Sequence, residues 1–252
     1  MTTRQALFNY LLRLADNNLI LGHRLSELCG NGPILEEDVA ASNIALDLLG
    51  SANALYQYAA KVEGKGRTED DLAFLRNERE FYNSLLVEQP NRDFGCVMVR
   101  QLLANAFDLN LYQALVSSKD SIIAGVAAKA IKEITYHLRH SGQWVERLGD
   151  GTEESHAKVQ SALNELWRYT EELFDTNEVD EVLIKEGIAI DLKSLRPKWE
   201  KIIDDVLQRA TLKKPENVWQ QHGSRDAKHT EHLGFLLPEM QYMQRTYPGV
   251  KW

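Results

Sequence analysis

The chain has 252 residues, 44% hydrophobic and 26% charged, a balance that excludes a disordered chain and leaves ample length for a core. Only 15 Gly and six Pro argue against a loop-rich or all-β protein. A net charge of −8 argues against nucleic acid and anionic membrane surfaces as partners.

Residues 3–29 place Leu7, Leu11, Leu14, Leu21, Leu25 and Leu28 at spacings of three, four or seven, which predicts a long helix. Gly30, Asn31, Gly32 and Pro33 break it. A second helix over 34–62 carries Ile34, Val39, Ile44, Leu48, Leu55 and Val62, with Glu36, Glu37 and Asp38 suiting its positive end. It stops near Gly64 and Gly66. A shorter helix over about 69–87 begins at Thr68 and Asp71, which read as a capping box. Pro90 interrupts the chain. Two more long helices follow over 94–117 and 121–148, joined by a tight turn and ended by Gly149 and Gly151. Further helices are predicted over 152–174, near 178–185, over 195–210 and over 230–245, and the short alternating run 184–191 reads as irregular.

No low-complexity segment or linker divides the chain, so it reads as one all-α domain over residues 1–252. Two helix hairpins, about 3–62 and 94–148, form a four-helix bundle, and the remaining helices within 152–252 pack around it. The first 25 residues do not read as a signal peptide, because Arg13, Asp16, Asn17 and Asn18 interrupt their apolar run. Cys29 and Cys96 are too few for a disulfide framework, so a reducing, cytoplasmic setting is expected.

The informative residues are acids inside the hairpins. Asp16 and Asp47 are equally far from the centre of the Gly30–Pro33 loop. Asp108 and Glu133 are equally far from the edge of the second loop, so each hairpin is expected to carry one acidic pair at one level. Four carboxylates at one level match the template of dinuclear iron bundles, in which two helices each give a Glu and two each give Glu-x-x-His. Here the two slots read Asp47-Leu48-Leu49-Gly50 and Glu133-Ile134-Thr135-Tyr136, and neither has its histidine. His137, four residues after Glu133 and about 40° round the helix, is the only imidazole nearby that shares that face. Buried carboxylates need partners, and Arg13, three residues before Asp16, and Lys129, four before Glu133, could supply them.

Other motifs weigh less. His229 and His232 are three apart, yet the plainer reading makes Thr230 a helix cap, with both imidazoles hydrogen-bonded locally. The same argument covers His137 and His140. No nucleophile elbow or phosphate-cradling loop occurs, and Cys29 at a helix C-terminus is poorly placed for a catalytic thiolate. Trp167, Tyr169 and Phe174 read as packing residues, while for Trp144, Tyr242 and Trp252 packing and interface anchoring are both open.

The segments LRLADNNLILGHRL (12–25), NIALDLLGSA (43–52), NEREFYNSLLVEQPN (77–91), AKAIKEITYHLR (128–139), ALNELWRYTEELFD (162–175), EGIAID (186–191) and HTEHLGFLLPEMQYMQR (229–245) carry a more specific likeness. With them the chain resembles, from about residue 5 to Trp252, the structural, non-catalytic subunits of the bacterial ring 1,2-phenylacetyl-CoA epoxidases. The resemblance implies a ferritin-like fold and a di-iron catalytic partner of the same descent, within a complex that also has reductase and accessory subunits. It implies epoxidation of the aromatic ring of phenylacetyl-CoA with dioxygen, an early step of aerobic phenylacetate breakdown. It assigns this chain no catalytic, cofactor-binding or metal-binding residue. Asp16, Asp47, Gly50, Asp108, Glu133, Tyr136 and His137 would be the degenerate remains of an ancestral site, with iron only in the partner subunit. Two rivals remain: a metal-binding oxygenase active in its own right through Glu133 and His137, and an independent storage or binding bundle. A homodimer of the isolated chain is compatible with any of the three.

Overall fold

A computed structural model describes residues 1–250. Among them there is no strand, and nine α-helices follow in order: α1 (Thr3–Ser26), α2 (Leu35–Glu63), α3 (Glu69–Phe74), α4 (Phe94–Leu115), α5 (Ser121–Gly149), α6 (Glu153–Leu166), α7 (Glu178–Lys185), α8 (Arg196–Arg209) and α9 (Glu231–Thr246). Local chemistry sets many of the boundaries. Thr2, Asp93, Asp120, Thr152 and Asn177 each accept a backbone N–H at a helix start. Gly64, at φ +69°, ends α2 in a left-handed turn.

The hairpins α1–α2 and α4–α5 form a four-helix bundle of the ferritin-like kind, with α3 and α6–α9 packed around it. The inner pair is α1 and α4, linked by Asn18 Nδ2 donating to the Tyr112 hydroxyl at 2.8 Å. From Gly95 to Phe107 every residue of α4 is buried, as expected of a helix covered on all sides. The outer pair, α2 and α5, is amphipathic. In α5 the buried residues Ile123, Ala127, Ala130, Ile134, His137, Ser141 and Val145 recur at three- and four-residue steps. Helix α8 docks on α4 through Trp199, whose indole N–H donates to the Leu103 carbonyl at 3.0 Å. Trp167, Phe174 and Phe107 complete an aromatic cluster with centroids 5.6–5.7 Å apart. The three predicted packing residues, Trp167, Tyr169 and Phe174, are all buried.

Two expected helices are shorter than the pattern predicts. The helix expected over 69–87 ends at Phe74, although the Thr68–Asp71 capping box does form. Beyond a short 3₁₀ turn at Glu78–Glu80 the chain runs without helix. Its backbone N–H groups have better partners than a helical ladder: Tyr82 N–H donates to Asp16, Ser84 N–H to Asn17 and Leu85 N–H to Glu172. The helix expected over 152–174 breaks at Leu166 into two 3₁₀ turns, Trp167–Tyr169 and Glu171–Phe174. This directs Glu172 inward, where it also accepts from Ser224. Residues 184–191 are irregular after the end of α7 and are fixed by Lys119 N–H to the Gly187 carbonyl and Ser118 Oγ to the Ile188 carbonyl. Trp144 is half-buried, edge-on to Phe94 at 5.1 Å, and Tyr242 is 59% exposed on α9. Trp252 lies outside the described residues.

Candidate functional site

The register of the hairpins decides which acids can meet. In α4–α5, Asn105 bonds Ser141 and Phe94 meets Trp144, so Asp108 and Glu133 do lie at about one level. In α1–α2 the register differs from the expectation. Gly22 lies against α2 so closely that a β-carbon there would sit 3.3 Å from the Ala45 carbonyl oxygen and from Leu49 Cδ2. The Tyr56 hydroxyl reaches Asp16. Asp47 is therefore level with Gly22, about 9 Å along α1 from Asp16. Equal distance from the loop assumed that both helices stop together, whereas the first turns of α2 run past the end of α1.

Asp16 is fully buried and fully occupied. It accepts from the Tyr56 hydroxyl, from both terminal nitrogens of Arg76, and from the Tyr82 backbone N–H at 2.8 Å. Arg76 also donates to the Leu72 and Glu80 carbonyls, and its guanidinium lies 4.1 Å from the Phe81 ring centroid. Burial works against the Arg76 charge, but Asp16 and Tyr56 outweigh it, so the guanidinium is held above its ordinary range. The expected neutralising cation was Arg13. That side chain instead holds Asp180 at 2.7 Å and Asn177 at 3.1 Å, because it faces α7.

The other acids form a looser group. Asp47 bonds His137 Nε2 at 3.0 Å, and His137 is itself buried with Nδ1 unpartnered. Burial lowers the His137 pKa against the pull of Asp47. Glu133 is raised, first by burial and then by the charge of Asp47, while Lys129 draws it down as expected. Gly50 and Tyr136, at the two imidazole slots, both face outward: a β-carbon on Gly50 would meet nothing within 4 Å, and Tyr136 is 40% exposed. Asp108 lies toward Tyr112, and burial pushes its carboxyl up to about 7.

Because the folded chain holds the Asp108 proton to about pH 7 and the unfolded chain releases it near 4, this group costs stability progressively as pH rises between those values. Asp108→Asn should therefore gain on the wild type by up to about 2 kcal/mol between pH 5 and pH 8 in urea unfolding. An equal difference at both pH values would contradict the assignment.

His229 and His232 do not act as a pair. His229 Nδ1 bonds Glu88 at 2.8 Å and Nε2 bonds the Phe81 carbonyl at 2.9 Å. Both partners are distant in sequence, contrary to the expected local bonds. Thr230 stands at the start of α9 but makes no side-chain cap; its hydroxyl donates to Glu88 at 2.8 Å. Sequence reasoning also passed over His23, whose imidazole is pushed down to about 4 by burial. It passed over Arg76 as well, for which a cation among the apolar residues of 72–87 was the one available sign.

Among the described residues no group of three or more His, Cys, Asp or Glu is placed to hold a metal ion. With Asp16 occupied by Arg76 and about 9 Å from the level of Asp47, the side chains do not fit a dinuclear iron centre. No helix of the described residues is long and apolar enough to cross a membrane.

Fold and site together define a ferritin-like bundle in which Asp16 is matched to Arg76 and Tyr56, and Asp47 to His137. The family of phenylacetic acid catabolic proteins matches residues 1–252, and the chain belongs to that family. It is 50% identical over 243 residues to one of the subunits of the 1,2-phenylacetyl-CoA epoxidase of Escherichia coli (strain K12), covering 96% of this chain and 98% of that relative.

Proposed function

We propose that the chain is the non-catalytic structural subunit of a phenylacetyl-CoA ring 1,2-epoxidase. It binds and stabilises a di-iron catalytic subunit in the cytoplasm, together with reductase and accessory subunits, and folds as one domain. The likeness to a subunit of that enzyme over nearly the whole of both chains carries this reading. The satisfied state of Asp16 supports it, since a carboxylate already bonded to Arg76, Tyr56 and the Tyr82 amide has no free oxygen for iron. In this reading the chain carries no iron, and its contribution is to hold the ligand helices of the partner in place.

The test is co-expression of the chain with the proteins encoded beside it, measuring mass, iron and epoxide formation with and without the chain. Loss of activity on omission, with all iron in the other subunit, is the expected result. A second reading, an oxygenase active in its own right through Glu133 and His137, would rest on the bond from His137 to Asp47 and the nearness of Asp47 to Glu133. About two irons per isolated chain, or turnover without any partner, would establish that alternative and end the first.

A further inference from the structure

The turn between α1 and α2 is built on one carboxylate. Asp38, in the first turn of α2, accepts the Gly30 N–H at 2.8 Å and the Gly32 N–H at 3.2 Å through the same oxygen, Oδ1. Gly32 lies so close to Asp38 that a β-carbon there would sit 2.8 Å from the Asp38 Cα, Cβ and backbone nitrogen. The fold therefore demands glycine at this position. That demand has a chemical side effect, because the residue before Gly32 is Asn31, which is exposed. Its side chain is loosely held, with Nδ2 at 3.5 Å from the Glu27 carbonyl, the outer limit of a hydrogen bond.

An asparagine followed by glycine is open to self-modification, since no side chain shields the glycine nitrogen. That nitrogen gives up its proton and attacks the Asn31 side-chain carbon Cγ. The Cγ–Nδ2 bond breaks, Nδ2 leaves as ammonia, and a cyclic imide remains. Water then opens either C–N bond of the imide, leaving aspartate or isoaspartate at position 31. Asn31–Gly32 is the single Asn-Gly step in the sequence, and every other asparagine precedes a residue with a side chain.

The same turn restrains the reaction. The attacking nitrogen must become anionic, and the Asp38 carboxylate both holds its proton and opposes a second negative charge beside it. Glu27, Glu37 and Asp93 border the cleft that Asn31 and Gly32 line, and they add to that opposition. We propose that Asn31 is a self-deamidation site and that Asp38 is its guard: the amide is kept while the turn stays docked on α2 and is lost when the turn opens. The product carboxylate joins an already acidic turn, and isoaspartate also lengthens the main chain by a carbon. Modification thus marks chains whose first hairpin has loosened.

The experiment incubates the purified full chain for days at neutral pH and follows conversion at position 31 by peptide mass mapping and an isoaspartate assay. Native wild type is compared with wild type in urea, with Asp38→Ala and Asp38→Asn, and with Asn31→Gln as a control. Circular dichroism checks that the variants are folded. Asp38→Ala should convert about tenfold or more faster than the native wild type, as the loss of a hydrogen bond to a charged group allows, and should approach the rate in urea. Asp38→Asn keeps an acceptor oxygen without the charge and should fall between the two; it decides the comparison if Asp38→Ala does not fold. Asn31→Gln should show no conversion at this position over the same time. A native rate equal to that in urea, or slower conversion in the Asp38 variants, would show that Asp38 is no guard and overturn the proposal. Absence of conversion in urea and in both Asp38 variants would remove the site itself.

Discussion

Arg76→Met should destabilise the chain by about 3–5 kcal/mol, the loss expected when one partner of a buried ion pair is removed and the other stays charged. Arg76 is 2% exposed and Asp16 fully buried, so the orphaned carboxylate has no water to turn to. The Leu72 and Glu80 carbonyls lose their donor in the same step, and they bracket the turn into the buried residues that follow. For a chain of this length such a loss corresponds to a fall in Tm of about 10 °C. The double variant Asp16→Asn/Arg76→Met should cost clearly less than the sum of the single variants, since the amide needs no counter-charge. Urea unfolding of all four proteins closes the cycle. Additive losses, or a loss below about 1 kcal/mol for Arg76→Met, would show that the pair is not the keystone of this end of the bundle.

Glu88→Ala should cost a similar amount, about 3–5 kcal/mol, and should loosen α9 in particular. The Glu88 carboxylate is fully buried and accepts from Asn83, His229 and both the amide and hydroxyl of Thr230. Because a carbonyl can only accept, His229 Nε2 must carry a hydrogen toward Phe81, leaving Nδ1 to face the carboxylate as the second donor of an imidazolium. Burial opposes that charge, but the Glu88 bond and charge, the Phe81 carbonyl and Asp16 outweigh it, and the pKa is raised. A raised histidine stabilises in full below its unfolded value near 6.5, and that contribution fades as pH climbs through the folded value. His229→Gln should therefore lose more stability relative to wild type at pH 6 than at pH 9. Limited proteolysis should cut Glu88→Ala ahead of α9 at a protease level that spares the wild type. Equal losses at both pH values would place a neutral imidazole at His229.

The bundle was legible because its four long helices announce themselves. Leucine periodicity, glycine-rich breaks and acid-rich first turns are local signals, and α2, α4 and α5 begin or end within a residue or two of where those signals place them. The second hairpin also gave its register, because its turn is short. The first did not, since the Gly30–Pro33 turn hides how far α2 overshoots α1. Residues 75–93 were illegible for a different reason. Their pattern is helical, but the side chains that capture their amides belong to Asp16, Asn17 and Glu172, up to 87 residues away. The cation that balances Asp16 is likewise 60 residues distant, so a search among helix neighbours found Arg13 instead. Gly50 and Tyr136 could be read at the positions where the dinuclear template has imidazoles, but not that both face outward.

The buried course of residues 81–89 has a consequence for how the protein is made. Phe81 and Glu88 wait for His229 and Thr230, and Arg24 waits for the carbonyl of His232. A ribosome delivers those partners at least 141 residues later, so the heart of the nascent polypeptide stays electrostatically unfinished until α9 emerges. Packing of the interior is thereby coupled to translation through α9, and a product terminated before α9 is left with unmatched charges that quality-control proteases can recognise.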